Sequence, residues 1–211
     1  DGEPPVADET EPTPPTTTIE PTTTSSEEAS LEGPVEGPLP LAGEDGLVIE
    51  GITVSNPEGN CVEIAHSRDI TIRDSQIGPC GGYAVAIDDS SSVYLEDLTI
   101  SQTESGIYAH ASETISVVRN VFADAGRNFV QFDKVTGSGN QISDNEGRNQ
   151  LGQSDAEDMV SIYSSSGTDE SPLLVVGNVF AGGGPSESGS GIMIGDNGGS
   201  DIVVEGNPLT N

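Results

Sequence analysis

The sequence predicts an all-β solenoid of about seven coils preceded by a disordered tail rich in Pro, Thr and Glu. Three observations carry this: a composition break near residue 45, an apolar alternation that returns about every 23 residues, and no segment of ten or more residues with helical period. Residues 1–45 hold 9 of the 14 Pro, 8 Thr and 12 acidic residues, with no basic residue and no aromatic. Such a stretch cannot bury enough apolar surface to offset its ordering entropy, so it is expected to be a disordered, stiffened linker to a domain spanning 46–211.

The domain repeats itself. Leu47-x-Ile49-x-x-Ile52-x-Val54 returns from Ile70, Val93 and Ile115 at steps of 23, 23 and 22 residues, then from Asn140, Leu173 and Ile202 at 25, 33 and 29, so the later coils carry insertions. A second series alternates with the first: Val62/Ile64, Val85/Ile87, Ile107/Ala109, Val130/Phe132, Val160/Ile162 and Ile192/Ile194. Each is a period-2 signal with one apolar face. Two or three short strands per repeat, separated by Gly, Ser, Asn and Asp, bury their alternate residues only by stacking on the same strands of the next repeat.

Units such as DITIRDSQI and TISVVRNVF resemble the repeat of the right-handed parallel β-helix proteins of the pectate-lyase-like superfamily, over residues 46–211. In that family the position of Asn120, Asn145, Asn178 and Asn207 is a tight turn where stacked Asn side chains bond neighbouring coils, which implies a structural role for them. Cys61 and Cys80 lie just before strands of consecutive coils, about 5 Å apart in such a stack, and are expected to form a disulfide. Solenoid ends need caps, and Leu209-Thr210-Asn211 carries none, so the chain is expected to be truncated at its C-terminal end.

Charge narrows the partners. The chain has 36 acidic residues against 6 Lys and Arg, a formal charge of −30, of which −18 belongs to residues 46–211. That excludes a nucleic-acid footprint, which needs clustered cations, and it favours a soluble monomer suited to high salt. No apolar run reaches the roughly 18 residues of a membrane span. The Thr/Pro-rich tail suits an exported, extracellular or cell-surface protein tethered through its N-terminal segment.

Function is sought among outward residues, because inward ones are packing. If Val130 and Phe132 face inward, one outward column reads Glu63, Ala86, Tyr108, Gln131, Ser161, Met193, and the next reads Ala65, Asp88, His110, Asp133, Tyr163, Gly195. The insertions 147–158, 164–172 and 181–190 are expected to wall these columns into a cleft. Half of the cations, Arg127, Lys134 and Arg148, map to the same coils. Three chemistries can use such a site. A glycoside hydrolase would take Asp88 and Asp133 as its carboxyl pair, with His110 sharing protons. A polysaccharide lyase would set Lys134 or Arg127 against a uronate carboxylate, with Ca²⁺ on Asp88, Asp89 and Asp133. A non-catalytic carbohydrate-binding or adhesion module would use Tyr108 and Tyr163 as platforms and Gln131 as a polar contact. The superfamily resemblance implies polysaccharide as the partner. The Asn-Thr-Asp, Asp-Asp, Gly-His-Gly and Arg-Ile-Lys set of polygalacturonases is missing, as is the pectate-lyase Trp-x-Asp-His signature, and Asp88-Asp89 is the single partial match. The Gly-rich GDNGGSD at 195–201 reads as a turn without calcium-loop spacing.

Overall fold

A computed structural model gives the fold and describes residues 33–150, 157–182, 191–195 and 197–210. The tail, residues 1–32, lies outside them, as do the centres of two expected loops, 151–156 and 183–190, and Asp196 of the Gly-rich turn. Strands begin at Gly33–Glu36 and Leu39–Ala42, ahead of the boundary expected at 45. The composition of 1–45 hides them, because Pro34, Pro38 and Pro40 sit within or beside this first turn, whose strands lie at the end of the stack and need fewer ladder bonds.

Every strand pair is parallel. One sheet stacks seven strands, and the other has 13, two of which, Gln76–Asp88 and Thr99–His110, run long enough to join two stacks. Five successive turns, from Gly33 to Ser143, are described without a break, against the about seven expected, and the later strands continue the same register across the undescribed segments. Among the described residues no helix is long and apolar enough to cross a membrane.

The interior is a set of columns set by the period-2 pattern. Ile49, Ile72, Leu95, Val117, Ile142 and Val175 pair in register and are each 0% exposed. Val62, Val85, Ile107, Val130 and Val160 form another such column. At the last described rung the interior opens: Val204, the partner of Val175, is 46% exposed, and Leu209, the partner of Phe180, is 43% exposed. One inward position lacks a side chain: Gly147 pairs with Phe122 on one side and Phe180 on the other. The Phe129 ring fills the vacancy, 5.3 Å from each of those two rings, and a Cβ on Gly147 would lie 2.4 Å from Phe129 Cε2.

Turns are held by side-chain ladders. Asn145 Oδ1 accepts from the backbone N–H and the side-chain amide of Asn120 at 2.9 and 3.0 Å, while its own amide donates to Val117 O and to Asn178 Oδ1. Asn178 repeats the pattern toward Asn207. A serine ladder, Ser67, Ser90 and Ser112, serves another corner, each hydroxyl accepting the backbone N–H one coil below. Cys61 and Cys80 form the expected disulfide, Cα atoms 5.7 Å apart.

Candidate functional site

The alternation that buries Val130 and Phe132 turns Gln131 and Asp133 outward, and the ladder then aligns their neighbours. Ala86, Tyr108, Gln131, Ser161 and Met193 are partners in one outward column, and Asp88, His110, Asp133 and Tyr163 in the next. Both columns match the register expected from the sequence. Parallel strands lie about 4.8 Å apart, so Asp88 and Asp133 flank His110 from the coils on either side, roughly 10 Å from one another by backbone.

These side chains touch. His110 Nδ1 is 2.7 Å from Asp88 Oδ1, and His110 Nε2 is 3.5 Å from Lys134 Nζ. An ammonium can only donate, so Nε2 is the acceptor and Nδ1 carries the proton that is donated to Asp88. Lys134 owes its position to a left-handed backbone, φ 57°, at the corner that follows the strand Val130–Asp133. That corner swings its amine back over the column, 4.0 Å from Asp133 Oδ1. Asp133 is the least exposed acid here, its side chain 18% accessible. Its Oδ2 accepts the Tyr108 hydroxyl at 3.1 Å, while Oδ1 is buried without a hydrogen-bond partner. Burial, then the Asp133 charge and the hydrogen bond to it, push the Tyr108 phenol up to about 12. The result is a continuous strip, Asp88, His110, Lys134, Asp133, Tyr108, crossing three coils.

The strip corrects several expectations. Tyr108 is not a free platform, because Tyr83 stacks on one ring face, centroids 4.9 Å apart and planes at 15°, and its hydroxyl is engaged by Asp133. Tyr83 is hidden from the period-2 pattern: with Val85 and Ile87 inward, alternation places Tyr83 inward as well, but Ala84 is buried together with Val85, which breaks the frame and turns Tyr83 out. Tyr163 belongs to the column but its hydroxyl accepts from Asn197, 34 residues on, at 2.6 Å. Gln131 is half-buried in its column.

Asp88, Asp89 and Asp133 are not gathered into a Ca²⁺ ligand set. Asp89 has φ 45° at the corner and turns toward His66, 3.6 Å away, while His110 stands between the other two. Among the described residues no three His, Cys, Asp or Glu side chains group closely enough to hold a metal ion. Arg127 is tied to Glu157 at 3.0 Å, which raises its pKa, with smaller influences from Tyr83 and Glu104. Arg148 leaves the site altogether: it is in register with Ala123 and so with Ser101, nine residues along Thr99–His110 from His110.

The stack of parallel strands and its asparagine ladder agree with comparison to known families, where the model for the right-handed beta helix region matches residues 40–209. The chain belongs to the right-handed β-helix family. A solved structure titled as that of the Streptococcus pneumoniae surface protein and adhesin PfbA is similar to this β-helix over 82% of the chain, at 10% identity and a TM-score of 0.32. The match covers 66% of that structure, so the present β-helix spans just under two thirds of its length. Curated proteins give no match to the sequence.

Proposed function

We propose that this β-helix is an exported, surface-directed module that binds polysaccharide along the Asp88–His110–Lys134–Asp133–Tyr108 strip. The observation that carries the reading is the continuity of the strip along the stacking axis. It presents a cation, carboxylate oxygens and an imidazole at the strand spacing of about 4.8 Å, so an extended chain lying along the axis meets polar groups at every coil. Tyr83 and Tyr108, stacked face to face, offer ring edges and hydroxyls beside it. Export is supported by the Cys61–Cys80 disulfide, which persists in oxidising compartments, and by the Thr/Pro-rich composition of residues 1–32.

One contact favours a second reading, cleavage. Asp88 holds His110 by Nδ1 and leaves Nε2 beside Lys134, an orienter, a base and a cation in the order needed to remove a proton next to a uronate carboxylate. A hydrolase is less well served, since Asp88 and Asp133 are both engaged by neighbours. The deciding experiment is affinity electrophoresis on neutral, sulfated and uronate polysaccharides at low and high salt, run beside assays for reducing ends and unsaturated sugars. Retention that drops in Asp133→Ala and Lys134→Ala, with the fold intact and no product, is the expected result. Unsaturated product that vanishes in His110→Ala would replace binding by lyase chemistry, and no retention and no product on any glycan would discard both.

A further inference from the structure

A different face of the solenoid carries a second feature. Among the described residues five of the six cations have an acidic partner within 4.0 Å, and Arg148 has none. Its strand neighbour Glu146 is also exposed and, among the described residues, has no cation within 4.0 Å. The two stand side by side on an otherwise uncharged stripe. One outward column of this face reads Val121, Glu146, Val179 and the column next to it reads Ala123, Arg148, Ala181, rung for rung. Val121 and Val179 are 46% and 49% exposed, and a shallow groove of about 300 Å³ runs between the columns.

This pattern is self-complementary. A two-fold axis parallel to the stacking direction and lying between the columns brings the first column of one copy over the second column of the other, at the same rung. Glu146 then meets Arg148 of the second copy and Arg148 meets its Glu146, while each Val projects toward an Ala. The preceding rung, Thr99 and Ser101, matches hydroxyl to hydroxyl. No like charges oppose on these rungs, in a chain whose formal charge is −30.

We infer that this face is an isologous contact between two copies of the chain, packed side by side with their solenoid axes parallel. Guanidinium and carboxylate form a bidentate pair on each side of the axis, and the large-against-small valine and alanine rows fill the groove. The chain's overall repulsion opposes the contact, so association strengthens as salt screens the long-range field. It departs from the monomer expected from charge alone.

The test is sedimentation equilibrium of the full chain over a range of concentrations at low and high salt, on wild type, Glu146→Arg, Arg148→Glu and the double exchange. Wild type should dimerise, each single exchange should weaken the dimer about tenfold or more by setting like charges face to face, and the double exchange should recover most of the loss. Circular dichroism confirms that each variant is folded. A wild type that stays monomeric at every salt and concentration overturns the inference. So do single exchanges that dimerise as wild type does, or a double exchange no better than the singles.

Discussion

Replacing Asn145 by Ala probes whether the buried ladder is what locks one coil to the next. Asn145 is 0% exposed and its side chain takes part in four hydrogen bonds, two accepted from Asn120 and two donated, to Val117 O and Asn178 Oδ1. Alanine leaves the Asn120 N–H and the Val117 carbonyl without their partners in a turn sealed by its neighbours. Each orphaned buried group costs roughly 1–3 kcal/mol, so the variant should lose about 3–5 kcal/mol once the lost side-chain pair is included. The Asn207 side chain makes three of the four corresponding bonds, two accepted from Asn178 and one donated to Val175 O, and is only half-buried near the last rung. Water can take over there, and Asn207→Ala should cost about 1 kcal/mol. Urea denaturation followed by circular dichroism gives both values, provided the slope with denaturant is unchanged. Equal costs for the two variants, or a loss under about 1 kcal/mol at Asn145, would refute the argument that burial gives the ladder its strength.

Gly147→Ala should destabilise by about 1–3 kcal/mol or more, because the new Cβ lies 2.4 Å from Phe129 Cε2 and 2.8 Å from Phe180 Cδ1, and both rings are buried. Phe129→Leu in the Gly147→Ala background should restore part of the loss, and thermal unfolding of the three variants reads it. The Tyr108 phenol should titrate near pH 12 by tyrosinate absorbance, a signal absent in Tyr108→Phe and moved to lower pH in Asp133→Asn. Since the folded pKa stands above the ordinary value of 10, this group's contribution to stability is whole below pH 10 and is lost as pH rises through 12. Alkaline denaturation should therefore be shallower in Tyr108→Phe across that window, and an unchanged profile would remove Tyr108 from the account.

Much of this architecture was legible because a solenoid writes its contacts as a sequence period. Once Val130 and Phe132 are placed inward, the partner of Asp133 is fixed as His110 and that of His110 as Asp88. Corners are less legible. Lys134 and Asp89 occupy equivalent left-handed corners, yet one swings toward the column and the other toward His66, a choice made by local hydrogen bonding and not by apolar period. Proximity in sequence to the strand Val130–Asp133 suggests that Arg148 joins the site, whereas strand register places it on another face. Tyr83 was missed where two adjacent buried residues interrupt alternation. The first turn was missed because its Pro-rich strands share the composition of the tail, and composition cannot distinguish a strand that borrows its order from the coil above.

The six cations show how a chain this acidic can stack at all. Identical corners recur at about 4.8 Å, so an acid on one coil faces whatever the next coil holds at that position. Arg68 reaches Asp45, Arg73 reaches Glu50 and Arg119 reaches Asp97, each one coil away, and Arg119 holds the Asp97 carboxyl below its usual range. Exposed pairs of this kind add little individually, but each replaces a like-charge contact that stacking would otherwise impose. Arg127 does the same toward Glu157. With those four engaged, Lys134 and Arg148 are the two cations whose placement is not explained by coil-to-coil neutralisation. Lys134 stands 3.5 Å from an imidazole nitrogen and beyond hydrogen-bond reach of Asp133 Oδ1 at 4.0 Å, so its charge is not saturated and an anionic or hydroxyl-bearing ligand can complete its coordination. Among the described residues Arg148 has no acidic partner within 4.0 Å, although Glu146 lines the same groove, which leaves its guanidinium free for the carboxylate of a second copy as proposed above. The same scarcity of positive charge that makes the rest of the surface repel polyanions therefore leaves two places on the solenoid with uncommitted cations, and these are the two where glycan binding and self-association are proposed.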